Sequence, residues 1–587
     1  MKARLFFKNA GILLAGSFLL RGLGVGFSVW LSGKIGAEGM GLFQLVETVY
    51  ALASTLATSG IYLSVTRLVS EELAANHPEA AADAMGKCML YGIVISALAA
   101  FILFFSAKKI AVRLLDEPRT TLSLRILAFA LPFMAASSSL RGYFFALRRA
   151  GISSSAQIVE QLAHIAAVAL FFAAIPPKNL TRACAALSCG CVAGESVSFL
   201  YTLTLYLRDR KKRGLRRQSF PGITRRLARI TIPVALSSYL KSTLRTVENL
   251  LIPRGFKKYG ASGAGALAQY GMTEAMVMPV LTFPAAFLTS FSSLLVPEIA
   301  EARALHDQSR IDRLAAKVLR YTLLFAAAIT GIFLYFPKEL GQAIFHREDV
   351  GSMLGILAPL VPMFYLDNVA DAMLKGLDQQ ISVLRYSILD SALSIVLLYR
   401  LLPVYGVKGY IIVMYASTFL NAALSVARLA RVTCISVQPM LWIVKPVCAV
   451  LLASIGVSGA GRLLPDRSPA AAVLVQIPAT LIIYVLLLFL SGSFTRKDLL
   501  WFRRVLRDKP DEDPITPANP ARSGSSERGS PRRQPAPAAA PPQKPDASRR
   551  WGADTQRPPS ESQRERRPHI PVVLPPLSRG DAERPAP

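Results

Sequence analysis

Apolar residues recur along this chain in stretches of about twenty, separated by short polar junctions. A helix that crosses a bilayer needs about 20 mostly apolar residues. Fourteen stretches have that character, centred near residues 20, 53, 97, 132, 167, 195, 240, 284, 327, 362, 392, 417, 450 and 481. The pattern therefore predicts an all-α polytopic membrane protein with about 14 transmembrane helices. The first run, Gly11 to Leu31, is too long for a signal-peptide core and carries Arg21 inside it, so it reads as the first span. The last span ends in "LFLSGSFTRKDLLWFRRVLRD", whose residues 495–508 read as a basic amphipathic helix on the membrane surface. Pro, Arg, Ser and Ala dominate 509–587, a composition that buries no core and predicts a disordered tail.

Composition agrees with the pattern. The chain has 587 residues, 52% of them hydrophobic, and a mean hydropathy of +0.40. A formal charge of +30 points to nucleic acid at first sight. Its distribution points elsewhere, because the excess lies in short junctions between spans. With the N-terminus inside, the cytoplasmic junctions hold roughly twice as many Lys and Arg as the outer ones, which supports N-in and C-in. The largest share is "RDRKKRGLRRQSFPGITRRLAR", Arg208 to Arg229, with ten basic residues and one acid. It reads as a cytoplasmic anchor that touches anionic lipid, not as a nucleic-acid arm. The six cysteines sit in or beside apolar stretches, and Cys184, Cys189 and Cys191 fit no zinc spacing. No metal site and no cofactor are expected, and coupling to Na+ or H+ is left open.

The basic loop is also a midpoint. "GAEGMGLFQL" from Gly36 faces "GASGAGALAQ" from Gly260, and "LRGYFF...IVEQ" faces "LKGLDQ...ILDS". This equates Arg141-Gly142 with Lys375-Gly376 and Glu160 with Asp390. The division is a six-helix lobe at 1–207, a basic loop at 208–228, a second six-helix lobe at 229–431 and an extra helix pair at 438–491. Internal repeats in a polytopic chain point to a transporter with its site between the halves. Pro132, Pro233, Pro279, Pro284, Pro359 and Pro362 lie within spans. Each frees a carbonyl, which neighbours or a wet cavity must satisfy.

No phosphate-binding loop, Ser/His/Asp set or metal-ligand motif is present, and there are only five histidines. The chain does not read as an enzyme. Ionisable groups inside spans are the candidates, because each costs several kcal/mol in hydrocarbon unless paired or hydrated. Arg21, Lys241 and Arg245 are candidate substrate cations, since a guanidinium fits phosphate oxygens bidentately. Glu47, Glu248, Glu274, Asp367 and Asp371 are candidate cavity or coupling carboxylates. Lys241, Arg245 and Glu248 share one helical face, and so do Asp367, Asp371 and Lys375. Arg141, Glu160, His164, Lys375 and Asp390 are candidate gate or structural residues, and Glu195 lies in the sixth span. The bland reading makes these groups internal ion pairs, such as Arg21–Glu47. For Glu160 and His164 the choice is between a proton relay and a carboxylate that ties the fifth span to the basic bend before it.

"GKIGAEGMGLFQLV", "GIYLSVTRLVSEELAA", "SSSLRGYFFALRRAGISSSAQIVEQ" and "SSLLVPEIAEA" resemble the stage V sporulation protein B group. That group belongs to the multidrug/oligosaccharidyl-lipid/polysaccharide (MOP) exporter superfamily, alongside the peptidoglycan lipid II flippases. The resemblance runs over roughly residues 5–490. It implies two six-helix lobes, alternating access and a lipid-linked saccharide substrate. Arg21 matches a first-helix arginine of the lipid II flippases, while two further cavity arginines fall near Phe27 and Thr273 here. Their loss favours a related polyprenyl-linked glycan or a differently arranged cavity. Glu248 matches a carboxylate of the sporulation group. The function this implies is a flippase driven by membrane potential or an ion gradient. A cation-coupled multidrug exporter of the same superfamily is the alternative, ahead of a membrane glycosyltransferase or polymerase. The tail's partner is not readable.

Overall fold

The computed structural model describes residues 2–174, 179–213, 220–435, 438–462, 469–496 and 498. The expected tail and most of the expected 495–508 helix lie outside them. Helices are the only regular elements among the described residues. In order they are α1 (Lys2–Thr58), α2 (Ile61–Ala74), α3 (Pro78–Lys109), α4 (Thr121–Ala128), α5 (Ala130–Ala146), α6 (Ala150–Ala174), α7 (Leu180–Arg213), α8 (Ile223–Tyr259) and α9 (Gly263–Gly271). There follow α10 (Met278–Thr282), α11 (Ala285–Ala304), α12 (Gln308–Tyr335), α13 (Pro337–Phe345), α14 (Glu348–Leu357), α15 (Val361–Gly376), α16 (Gln380–Val432), α17 (Lys445–Arg462) and α18 (Pro469–Leu490). Thirteen of the expected span centres fall inside these helices, and the one near 284 falls at the break between α10 and α11. Among the described residues nine helices are long and apolar enough to cross a membrane, or ten if the bent pair 118–146 is one span. The lower number has a physical source. α1 and α16 each hold two expected spans, folded back at Gly36 (φ 67°) and Gly406 (φ 55°). Helices lined with polar residues, such as α8, are less apolar than these nine.

The backbone repeats. Among the described residues six non-glycine residues adopt left-handed φ, and they form three pairs: Asn76 and His306, Asp116 and His346, Arg148 and Asp378. The members of each pair stand 230 positions apart. The starts of α3 and α12 and the ends of α5 and α15 keep the same spacing. Such φ values are uncommon outside glycine, so their recurrence marks equivalent helix ends. This corrects the sequence register at one place. Glu160 does face Asp390, but Arg141 stands opposite Asp371, not Lys375. Matching the two glycines of "RG" and "KG" had slipped the helix by one turn.

The halves meet through apolar side chains around the folded-back ends at Gly36 and Gly260. Leu42, Leu45 and Val49 of α1 bury against Leu267 and Tyr270 of α9 and Phe256 of α8. The backbones themselves touch there. A Cβ added at Gly41 would lie 2.0 Å from the Leu267 carbonyl oxygen, and one at Gly271 would lie 2.3 Å from the Ala37 oxygen. Only glycine permits that approach. α8 is bolted to the first half at both of its ends. Near Gly36, Lys257 pairs with Asp116 (2.9 Å) and Glu117 (3.4 Å), and Arg254 donates to the carbonyls of Arg113 and Leu114. At the far end Arg226 pairs with Glu72 and with Glu71 (2.7 Å), and Thr231 meets Ser64 (2.7 Å). The ion pair Lys87–Asp83 holds the carbonyl and the N–H of Phe220. The expected loop at 208–228 is therefore helical as far as Arg213 and clasped again from Phe220.

α17 and α18 pack on α12 through Tyr321, Leu324, Val450, Ala453, Tyr484 and Leu488. Asp498 finishes that contact, accepting from Tyr321 (2.7 Å) and from the N–H and hydroxyl of Thr495 (2.8 Å each). Burial pushes its carboxyl up, but these hydrogen bonds and the charge of Arg320 outweigh burial and hold it below 3.8.

Two outcomes follow from these contacts. Because the folded value of Asp498 is depressed, its contribution is present above pH 3.8 and fades as pH falls through the lower folded value. Hydrogen exchange at Thr495, taken relative to its intrinsic rate at each pH, should accelerate over that acid window. In Asp498→Ala it should already be fast at neutral pH; identical profiles would refute the tie. Gly271→Val, an overpacking change that costs about 1–3 kcal/mol, should part α1 from α9. Labelling of Gln44→Cys by an impermeant maleimide from the Gly36 side should then rise. Gly24→Val, whose Cβ meets nothing within 4 Å, should leave the labelling unchanged.

Candidate functional site

The polar groups of α1 beyond Gly41 and of α8 face each other across a cavity of about 680 Å³. Gln44, Glu47, Thr48, Thr55, Thr58 and Ser59 line one wall. Ser238, Lys241, Ser242, Arg245, Thr246 and Asn249 line the other. The spacing on α8 explains the wall: positions 238, 242, 246 and 249 follow the helical repeat, and both cations fall beside them. Lys241 and Arg245 are exposed and form no ion pair among the described residues. At the Gly36 end the cavity stops where Asn249 and Tyr270 reach the hydroxyl of Thr48, each at 3.4 Å. The hydroxyl ladder was readable in the sequence as Ser and Thr at helical spacing within spans. Attention to charge alone passed over it.

Glu248, on the face of α8 shared with the two cations, is turned out of the cavity. It lies with Ser391 and within electrostatic reach of Asp390, Arg245 and Glu274, and one of its oxygens has no partner. Glu274 is half-buried and accepts from Tyr410. Asp367 accepts from Asn421 (2.8 Å) and Ser425 (2.9 Å), and Asp371 also from Ser425 (3.3 Å). Asp390 accepts from Ser417 (2.6 Å). Lys241 feels the charges of Asp371 and Lys375, so the cavity cation and the α15 acids belong to one electrostatic neighbourhood. Lys375 itself is exposed at the end of α15.

Arg21 is not among the residues lining this cavity. It donates to the Thr282 carbonyl at 2.9 Å, and Tyr365 donates to the Leu281 carbonyl at 3.3 Å. Those carbonyls precede Pro284, where α10 breaks. The amide of Ala286 bonds instead to Phe283, which leaves Thr282 free. Arg21 and Tyr365 thus satisfy the backbone that the break exposes. No Arg21–Glu47 ion pair is formed, so that sequence reading does not hold. Phe27 and Thr273 are likewise not among the residues lining the cavity. Phe27 stacks edge-on against His164 (centroids 5.2 Å), and Thr273 is buried and bonded to the Gln269 carbonyl.

In the first half, Arg141 pairs with Glu160 at 3.0 Å. The carboxylate of α6 therefore does tie that helix to α5, which carries the bend. His164 takes no part in the pair, and its Nε2 is buried without a partner. Among the described residues no group of His, Cys, Asp and Glu is placed to hold a metal ion.

Comparison with known proteins accords with this architecture. The model of the polysaccharide biosynthesis protein family matches residues 6–303, just over half of the chain. Stage V sporulation protein B of Bacillus subtilis (strain 168) is 24% identical over 446 residues, covering 75% of this chain and 86% of that protein. Lipid II flippase MurJ of the same organism is 23% identical over 400 residues, covering 63% and 72%. A structure of lipid II flippase MurJ in an inward closed conformation superposes with a TM-score of 0.64 at 12% identity, covering 83% of this chain and all of that one. An inward-facing MATE-family multidrug transporter of the MOP superfamily superposes at 0.56 with 14% identity, covering 73% and all of that chain. These superpositions bear on the fold alone. This chain is a multi-pass membrane protein that belongs to the polysaccharide biosynthesis protein family.

Proposed function

We propose that this protein is a flippase that moves a polyprenyl-linked oligosaccharide across the bacterial cytoplasmic membrane by alternating access. The observation that carries the reading is the cavity between α1 and α8, where two cations that form no ion pair among the described residues stand with Glu47 among hydroxyl and amide side chains. Lys241 and Arg245 suit a pyrophosphate. The ladder of Thr55, Thr58, Ser59, Ser238 and Ser242 suits the hydroxyls of a sugar. The relatives named for lipid II transport and for sporulation support a lipid-linked cell-wall or surface-glycan precursor over other anions.

In this reading the termini are cytoplasmic, and the Gly41–Gly271 contact closes the outer end. The basic stretch around Arg208–Arg213 lies against anionic lipid on the inner surface. Outward movement of an anion is favoured by an inside-negative potential, at about 2.3 kcal/mol per charge per 100 mV. Coupling to H+ or Na+ would add to that drive. Arg21 serves transport through the broken α10 and not as a headgroup ligand.

The test is flipping of a fluorescent polyprenyl-pyrophosphate saccharide in proteoliposomes. A charge-assisted hydrogen bond contributes about 1.5–3 kcal/mol. Arg245→Ala should therefore weaken substrate binding about 10- to 100-fold, with Lys241→Ala acting in the same direction. An inside-negative potential should speed transport by the wild type. Folded protein that moves no lipid-linked glycan, yet confers resistance to cationic drugs dependent on Glu47, would overturn the reading in favour of drug export.

A further inference from the structure

Glu195 has no place in the transport path just described, yet it is one of the most confined acids in the molecule. It lies on α7 with 4% of its surface exposed, and one carboxylate oxygen has no hydrogen-bond partner among the described residues. Two glycines bring it there. A Cβ at Gly194 would lie 2.9 Å from the Glu160 carbonyl oxygen, and one at Gly190 would lie 2.3 Å from Val168. The backbones of α6 and α7 therefore run in contact, and Glu195 feels the charges of Glu160 and Arg141.

The charged and titratable groups around it come from every neighbouring helix. α1 contributes Glu47 and Tyr50, which act on Cys191 one turn before Glu195. α5 contributes Arg141, and α6 contributes Glu160 and His164, the latter turned toward Phe27. Arg119 acts only farther along α7, at Cys184. Glu160 and Glu195 thus share one guanidinium, and Arg141 is committed to Glu160. A buried carboxylate without a counter-charge costs several kcal/mol in a membrane interior. The available remedies are a metal ion or a proton. The side chains here form no metal cage, so a proton is the ligand that fits.

We infer that Glu195 is a proton-binding site of the first half, loaded and unloaded through Glu160 as Arg141 passes between the two carboxylates. With Arg141 on Glu160, Glu195 holds the proton on its free oxygen. When Arg141 moves to Glu195, that proton leaves for Glu160 and then for water, so one proton from one side of the membrane is released at the other. The site itself stands independently of the flippase reading; its coupling to lipid movement rests on that reading.

The site is tested by infrared difference spectroscopy of the purified full-length protein in liposomes across a pH jump. A carbonyl stretch of a neutral carboxylic acid, shifted in deuterated water, should appear in the wild type and vanish in Glu195→Gln. Glu195→Asp should restore it at an altered frequency, which also shows that the variants fold. Survival of the whole band in Glu195→Gln overturns the proton site. Coupling is read separately, by flipping under an imposed pH gradient at zero potential. Wild type should respond to the gradient, while Glu195→Gln should lose that response and keep potential-driven flipping. A wild type that flips lipid but ignores the gradient overturns the coupling and leaves the proton site. A wild type that flips nothing overturns the flippase reading, not the site.

Discussion

The approach of Gly41 to Gly271 sets the geometry of everything between the halves. Two helices whose backbones touch at one end must diverge or run side by side beyond it, and the next residues along α1 decide what fills the space. They are Gln44, Glu47 and Thr48, so the space is polar. A larger side chain at either glycine would hold the helices apart and admit water at the Gly36 end. A polar cavity inside a membrane protein exists only while its ends exclude lipid, and here one end is sealed by main chain.

The same economy governs the breaks. Pro284 interrupts a helix that would otherwise satisfy its own carbonyls, and Arg21 and Tyr365 supply the missing donors from two other helices. An arginine that costs energy in hydrocarbon and a carbonyl that lacks a donor cancel each other's penalty. This makes Arg21 part of the joint at the α10–α11 break. The joint spans both halves, since Arg21 belongs to the first and Thr282 to the second. Any rearrangement that straightened this break would release the guanidinium.

Much of this was legible in the sequence because membrane spans obey one strong rule, the internal satisfaction of backbone polarity over a fixed thickness. Thirteen span centres fall on helices for that reason. The repeat was legible too, through Gly36 and Gly260, which both adopt positive φ. What local similarity did not settle was the register near Arg141, where two Gly-containing motifs matched one turn out of phase. Helix ends carry that information, and the sequence states it only weakly: Asn76 and His306 do the same backbone work with different side chains. Charge partners were the least legible. Arg21 pairs with a carbonyl, a partner present at every residue and visible in no motif, and Glu248 turned away from cations on its own helical face.

The corrected register gives the charges a pattern. Where the first half has Arg141 opposite Glu160, the second half has Asp371 opposite Asp390, and both acids rely on neutral hydroxyl donors from α16. The first half is left with an excess carboxylate at Glu195, and in the second Asp371 feels two cations, Lys375 and the cavity-lining Lys241. An anionic headgroup arriving at Lys241 and Arg245 would compete with Asp371 for the same positive charge. Binding at the cavity would then be felt at α15 without any long relay, because the two sites share one side chain. In the first half no cavity cation intervenes, so Glu195 answers to Arg141 alone. Under the proposed function two halves of one backbone design would respond to different charges: the second to the anion in the cavity, the first to the proton supply.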